Sequence, residues 1–131
     1  MWPFGRRRRE LLGRKGEKLA RRFLKHRGMK ILVTNYRCAT GEVDLIALDR
    51  STRRELKAET LCFVEVKTRS SDRYTDPASA VDADKRRRIR KVADYYLSRH
   101  DADDLNVRFD IVSVIIRPGG NPEINYIPDA F

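Results

Sequence analysis

Gly41-Glu-Val-Asp-Leu-Ile-Ala47 and, about twenty residues later, Phe63-Val-Glu-Val-Lys-Thr-Arg69 decide how this chain reads. Both are apolar enough for strands, and both carry charge where a strand buries carbon. Side chains alternate between the two faces of a strand, so Glu65 and Lys67 share one face with Leu61 and Phe63, while Cys62, Val64 and Val66 take the other. In the first stretch the same alternation sets Val43, Leu45 and Ala47 against Glu42, Asp44, Ile46 and Leu48. Unpaired charge inside a sheet is costly, so a chain that keeps Asp44, Glu65 and Lys67 in its best strands has a use for them. Two carboxylates and an ammonium group meeting at one point suit a divalent cation, Mg2+ or Mn2+, and a water to be activated. That is phosphodiester chemistry.

Working outward, Glu10 to Arg27 carries apolar residues at 12, 19, 20, 23 and 24, a helix stripe closed by Gly28. Gly13 and Gly16 weaken its start. Glu17 falls at the edge of the buried face, and His26 sits near the C-terminus, where it suits the helix dipole. Strands are expected at Lys30–Arg37, Glu42–Leu48 and Leu61–Thr68, with the polar run 50–59 as a long connection. Asp76-Pro77 reads as the start of a second helix reaching Arg99, an acceptor at the cap and proline at the first position. Lys85 lies on its apolar stripe, four residues from both Val81 and Ile89, and can reach back to the sheet. Val107–Ile116 and Ile124–Ile127 complete an α/β domain of order αβββαββ over residues 10–131, preceded by a flexible basic arm at 1–9.

The chain has 131 residues and a net charge of +10, with 40% apolar and 37% charged residues. That describes one highly charged globular domain without a membrane-length apolar run. Residues 1–30 hold twelve Lys and Arg against Glu10 and Glu17, a surplus of ten, while the remainder balances at seventeen of each sign. A second local basic cluster is Lys85-Arg-Arg-Arg-Ile-Arg-Lys91. Basic patches flanking an acidic centre suit a polyanion, so Arg6, Arg7, Arg8, Arg9, Arg14, Lys15, Arg69 and Lys85 are the candidate nucleic-acid contacts. With little aromatic material in the basic runs and no readable recognition helix, base-specific readout is not expected. Cys38 and Cys62 form no disulfide framework, which points to a reducing, cytoplasmic compartment.

Asp44 followed by Glu65-Val-Lys67 has the form of the D…(D/E)xK signature, and the chain resembles restriction-endonuclease-like nucleases. More closely, it resembles the YraN-like family of small bacterial endonuclease-like proteins. The residues that carry this are Gly16-Glu17, Asn35-Tyr36-Arg37, Gly41–Ile46, Phe63–Arg69, Lys85, Arg108-Phe-Asp110 and Asp129-Ala-Phe131. The resemblance covers roughly residues 13–131. It implies a restriction-endonuclease-like mixed sheet flanked by helices, with Asp44, Glu65 and the Val66 carbonyl holding the metal. Lys67 would be catalytic, and Glu17 resembles the additional acid of archaeal Holliday-junction resolvases, a catalytic or metal-holding position. The wider restriction-endonuclease-like superfamily often has proline before the first acid, where this chain has Val43.

The expected function is a Mg-dependent endodeoxyribonuclease, suited to branched or repair and recombination intermediates, with room for a homodimer. Two rivals stand beside it. One is a non-catalytic nucleic-acid-binding protein on a nuclease scaffold, the other an interaction protein that docks through its basic arm. Blander roles are open for individual residues: a Glu65–Lys67 ion pair on one strand face, Asp44 paired with Arg37 or Arg69, Glu17 as a surface acid, and Arg108–Asp110 as a structural ion pair. Glu42 reads as a turn residue and Cys62 as core packing.

Overall fold

A computed structural model describes residues 3–70 and 81–131, with side chains from Glu10 onward. Helix α1 (Pro3–His26) is followed by strands β1 (Lys30–Cys38), β2 (Gly41–Asp49) and β3 (Thr60–Arg69), then α3 (Ala83–Arg99), β4 (Asn106–Ile115) and β5 (Glu123–Ile127). The connection between β2 and β3 folds into a 3-10 turn at Arg50–Thr52 and a single helical turn, α2 (Arg53–Leu56). Asp49 opens it, its Oδ1 accepting the Ser51 N–H at 3.0 Å.

The strands form one sheet in sequence order, β1-β2-β3-β4-β5. The β3–β4 pair is parallel and the other pairs antiparallel. A parallel pair needs a long crossover, and α3 lies in it. This mixed sheet flanked by helices, in the order αβββαββ, is the expected fold class.

Each helix covers one sheet face. Ala20 and Leu24 of α1 are buried with Leu45, Ala47, Cys62, Val64, Val112 and Val114. Ile89, Val92, Ala93 and Tyr96 of α3 are buried with Val43, Ile46, Leu61, Phe63 and Ile111 on the other. Phe63 is at the centre, its ring 5.9 Å from Tyr96 edge-on and 5.8 Å from Phe109. Each such side chain withdrawn from water contributes roughly 1.5–3 kcal/mol. The even and odd residues of β3 divide between the two cores as the alternation predicts.

Helix α1 ends as the glycine predicts. Gly28 is left-handed at φ 89, Met29 N–H reaches the Leu24 carbonyl at 3.0 Å, and Gly28 N–H reaches Lys25 at 2.9 Å. This double closure also carries Met29 into the core beside Leu24.

Three differences from the sequence reading have local causes. Helix α1 reaches back to Pro3, through the arginines expected as a flexible arm. Arginine is a good helix former, and proline is well placed at a first helical position. Helix α3 begins at Ala83, capped by Asp82, whose carboxylate accepts the Lys85 N–H at 2.9 Å. The expected start at Asp76-Pro77 lies outside the described residues. Finally, Val43 packs with Ile46 on the α3 side instead of with Leu45 and Ala47. The alternation of β2 breaks at Asp44, and the reason belongs to the site.

Candidate active site

The β2–β3 ladder reaches the Leu45–Val64 pair and goes no further toward the start of β2. Past that point β3 remains paired with β4 as far as Arg69, and β2 remains paired with β1 as far as Gly41. The sheet therefore opens between the first residues of β2 and the last of β3. Asp44 stands where it opens. Its Oδ2 accepts the Val66 backbone N–H at 2.7 Å, so a side chain satisfies a donor the ladder has left.

The neighbouring strand shapes this opening. Thr34 pairs with Leu45 and Tyr36 with Val43, which sets Asn35 across from Asp44. Asn35 is left-handed at φ 52, a conformation that asparagine tolerates better than most residues. A kink in β1 opposite the break in β2 explains how Val43 and Ile46 reach the same core. The sequence reading gave Asn35 no structural part; its only local signal was a short polar residue inside an apolar strand.

Glu65 is buried at 5% exposure and faces α3, as the strand alternation requires. Lys85 Nζ lies 2.9 Å from Glu65 Oε2. Thus the ion pair considered within β3 is made from α3 instead. Asp44 does not pair with Arg37, whose Nε is 3.0 Å from Glu42. Lys67 joins the group from two positions beyond Glu65, in contact with Lys85. Glu17 acts on Asp44 by its charge, from α1 on the other side of the sheet.

The electrostatics follow from crowding. Burial, then the hydrogen-bonded and charged Glu65 carboxyl, push Asp44 up to about 9, and Glu17 adds to the rise. Burial also opposes ionisation of Glu65. Its bonds to Asp44 and Lys85, with the Lys67 charge, outweigh that and hold it below the ordinary glutamate range. Asp44 therefore keeps a proton and donates it toward an ionised Glu65. Burial and the neighbouring ammonium of Lys85 lower Lys67. In Lys85 burial works against the charge, but Lys67 and Glu65 overcome it and raise the amine.

Helix α1 approaches closely enough to bring Glu17 in because the preceding residue is glycine. A methyl group on Gly16 would lie 2.7 Å from Thr68 Cβ and closer still to its Oγ1 and Cγ2. This glycine, expected to weaken the helix, is the contact point between α1 and β3.

The other candidates are more scattered. Arg14 and Lys15 are exposed on α1, and Arg69 is half-buried at the end of β3. Arg6, Arg7, Arg8 and Arg9 fall on the first turns of α1. Arg108 and Asp110 form the expected structural pair, with Arg108 Nε 2.9 Å from Asp110 Oδ1. Their network is wider than sequence indicated. Asp49 takes Arg108 at 2.9 Å, Tyr126 donates to Asp110 at 2.6 Å, and the Asp129 N–H binds Asp110 at 2.9 Å. Cys62 is wholly buried core, and both cysteines are free.

Asp44 and Glu65 offer hard oxygen donors, the kind Mg2+ and Mn2+ take. Two carboxyl groups so close that one keeps its proton could both face a divalent cation only once that proton is given up. The donor set fits. Among the described residues, however, no group of three or more His, Cys, Asp or Glu is placed to hold a metal, so Glu17 completes no three-acid set.

Known proteins share most of the chain. The family described as "Uncharacterised protein family UPF0102" matches residues 16–114. A UPF0102 protein of Nocardia farcinica is 44% identical over 123 residues, covering 94% of this chain and 91% of its own. One of Solibacter usitatus is 47% identical over 121 residues, covering 91% and 84%. One of Syntrophus aciditrophicus is 44% identical over 119, covering 91% and 87%. The matched span takes in Gly16, Asp44, Glu65, Lys67 and Lys85.

Proposed function

This chain belongs to the UPF0102 family, and we propose that it is a metal-dependent nuclease, hydrolysing phosphodiester bonds in nucleic acid and in DNA first of all. One observation carries the reading. Carboxyl groups from two strands meet in hydrogen-bond contact where the sheet opens, with two lysine amines against them. An ordinary structural ion pair needs one acid and one base, and it does not need a carboxyl held protonated far above its usual range.

Mg2+ or Mn2+, held by Asp44, Glu65 and the Val66 carbonyl, would supply Lewis-acid stabilisation of the phosphate and a water of lowered pKa. The chain's own groups do the rest. Asp44 would give up its carboxyl proton to solvent on becoming a ligand. Lys67 would hold the attacking water at Nζ, and its charge would offset charge growing on the phosphate oxygens. Arg14 and Lys15 on α1, the arginines at 6–9 and Arg69 supply the cations along which a nucleic-acid backbone would lie.

The partner in this reading is nucleic acid, and the charges favour phosphate contacts over base readout. No described helix is long and apolar enough to cross a membrane. Two free cysteines suit a reducing cytoplasm.

A second reading, a nucleic-acid-binding scaffold without cleavage, is favoured by the absence of a three-acid cluster among the described residues. A cleavage panel separates the two. Duplex, single-stranded, flapped and four-way DNA and structured RNA are incubated with Mg2+ or Mn2+. Metal-dependent cutting of any member, lost in Lys67→Ala, supports the nuclease. Salt-sensitive binding without cutting assigns the scaffold.

A further inference from the structure

The bond between Lys85 and Glu65 places an ammonium on one of the two carboxylates proposed to hold a metal. We infer that Lys85 is a displaceable counter-ion: it occupies Glu65 until a divalent cation takes its place, and then turns outward to grip the substrate's phosphate backbone. This deepens the nuclease reading and rests on it.

The geometry separates a fixed partner from a movable one. The Glu65 side chain is 6% exposed, whereas that of Lys85 is 32% exposed and has a path to solvent. Glu65 is locked in the central strand, flanked by β4, where it pairs with Ile111. The backbone of Lys85 is also fixed, by the Asp82 cap at 2.9 Å. The first turn is tied further by Arg86 Nε, 2.8 Å from the Val81 carbonyl. Only the four-carbon stem of Lys85 is left to move, and a lysine stem is flexible enough to do so.

An ammonium and a divalent cation compete for the same carboxylate oxygen. Lys85 lies one turn before buried Ile89 on α3, so its stem aims at the site from a fixed helix. Once released, the amine would emerge beside exposed Arg88, on the basic face of the helix. Metal loading would thereby add a phosphate-binding cation to that face. The metal and nucleic acid would then strengthen each other's binding, with Lys85 carrying part of the coupling.

Lysine acylation mapped by mass spectrometry tests this on the full chain. A water-soluble succinimidyl ester is the reagent, and exposed Lys57 is the reference amine. Ca2+ replaces Mg2+ to avoid cleavage, and its saturation is established by calorimetry. Lys85 labelling should rise several-fold between chelator and saturating Ca2+ while Lys57 stays constant, and added duplex DNA should suppress the rise. Lys85→Met should tighten Ca2+ binding by about tenfold, more than Lys67→Met does, and should shrink the gain in DNA affinity that Ca2+ brings to wild type. Saturating Ca2+ without a change at Lys85, or Ca2+ binding no tighter in Lys85→Met, overturns this inference and leaves the nuclease reading standing. If Ca2+, Mg2+ and Mn2+ all fail to bind, both fall together.

Discussion

The carboxyl group of Asp44 accepts the backbone N–H of Val66 across the opening between β2 and β3, at 2.7 Å. One residue thus closes the sheet where its ladder stops and presents a carboxyl to Glu65. Structure and chemistry are combined in a single side chain, and substitutions can pull them apart.

Asp44→Asn keeps an oxygen for the Val66 N–H and an N–H for Glu65, so it mimics the protonated acid. It should fold with at least wild-type stability at neutral pH, since it carries no carboxyl that must hold a proton there, and lose divalent-cation affinity. Asp44→Ala leaves the Val66 donor without that partner and should cost about 1–3 kcal/mol. Urea unfolding of both, beside calorimetric metal titration, checks the pair. Equal stability losses would mean that the bond to Val66 contributes nothing.

The raised Asp44 predicts an unusual dependence on pH. Folding moves this carboxyl from its ordinary value of 3.8 up to about 9, so the native state holds a proton that the unfolded chain has released. Native protein binds the extra proton throughout that window, and the Asp44 contribution to stability therefore falls as pH rises. Asp44→Asn has no such proton. Its melting temperature relative to wild type should climb between pH 5 and pH 9, and a constant difference would refute the shift. Metal must displace the same proton, so Mg2+ affinity should rise by up to about tenfold per pH unit below 9.

Lys67→Ala removes an amine but neither of the carboxyl groups proposed to hold a metal. Metal and DNA should bind within a few-fold of wild type while cleavage falls by roughly 10²–10⁴. Thermal melting should change little, because Lys67 is crowded by Lys85 and its loss relieves a like-charge contact. Normal cutting by this variant would place the chemistry elsewhere.

Gly16→Ala should destabilise the protein by about 1–3 kcal/mol, since a methyl group there collides with the side chain of Thr68. Adding Thr68→Ala clears Oγ1 and Cγ2 and should recover part of the loss. A double mutant whose penalties merely add would show that the clash is absorbed elsewhere.

Asp110 is a structural counterpart to the site. It is 0% exposed and held by Arg108, Tyr126 and the Asp129 N–H. Asp110→Ala should cost about 3–5 kcal/mol, because it removes the buried carboxylate that holds Arg108 through both Nε and a terminal nitrogen. Tyr126→Phe should cost roughly 1 kcal/mol. Guanidinium unfolding measures both, and metal affinity of the folded variants should be unchanged.

Local chemistry was legible in the sequence. Period-2 alternation assigned Glu65 and Lys67 to the face that α3 covers, and the α1 stripe with Gly28 located that helix and its end. Charge in apolar strands marked Asp44, Glu65 and Lys67 as candidates because burying charge is costly wherever the strand goes. The spacing of Lys85 from Ile89 aimed it at the sheet, since residues four apart share a helix face, although Val81, the other marker, lies before the helix begins.

Relations across the fold depended on tertiary structure. Alternation predicted the wrong company for Val43, because a ladder that ends beside a kink at Asn35 cannot be read from one strand. Gly16 looked like a weak helix position, and only the approach of α1 to Thr68 shows why a side chain cannot stand there. The proton on Asp44 and the bond from Lys85 to Glu65 likewise depend on which groups burial crowds together. Sequence alone determined which residues carry charge and which face each element turns inward, since both follow from local covalent geometry. Tertiary structure decided their distances and protonation, because those depend on neighbours brought together from distant parts of the chain.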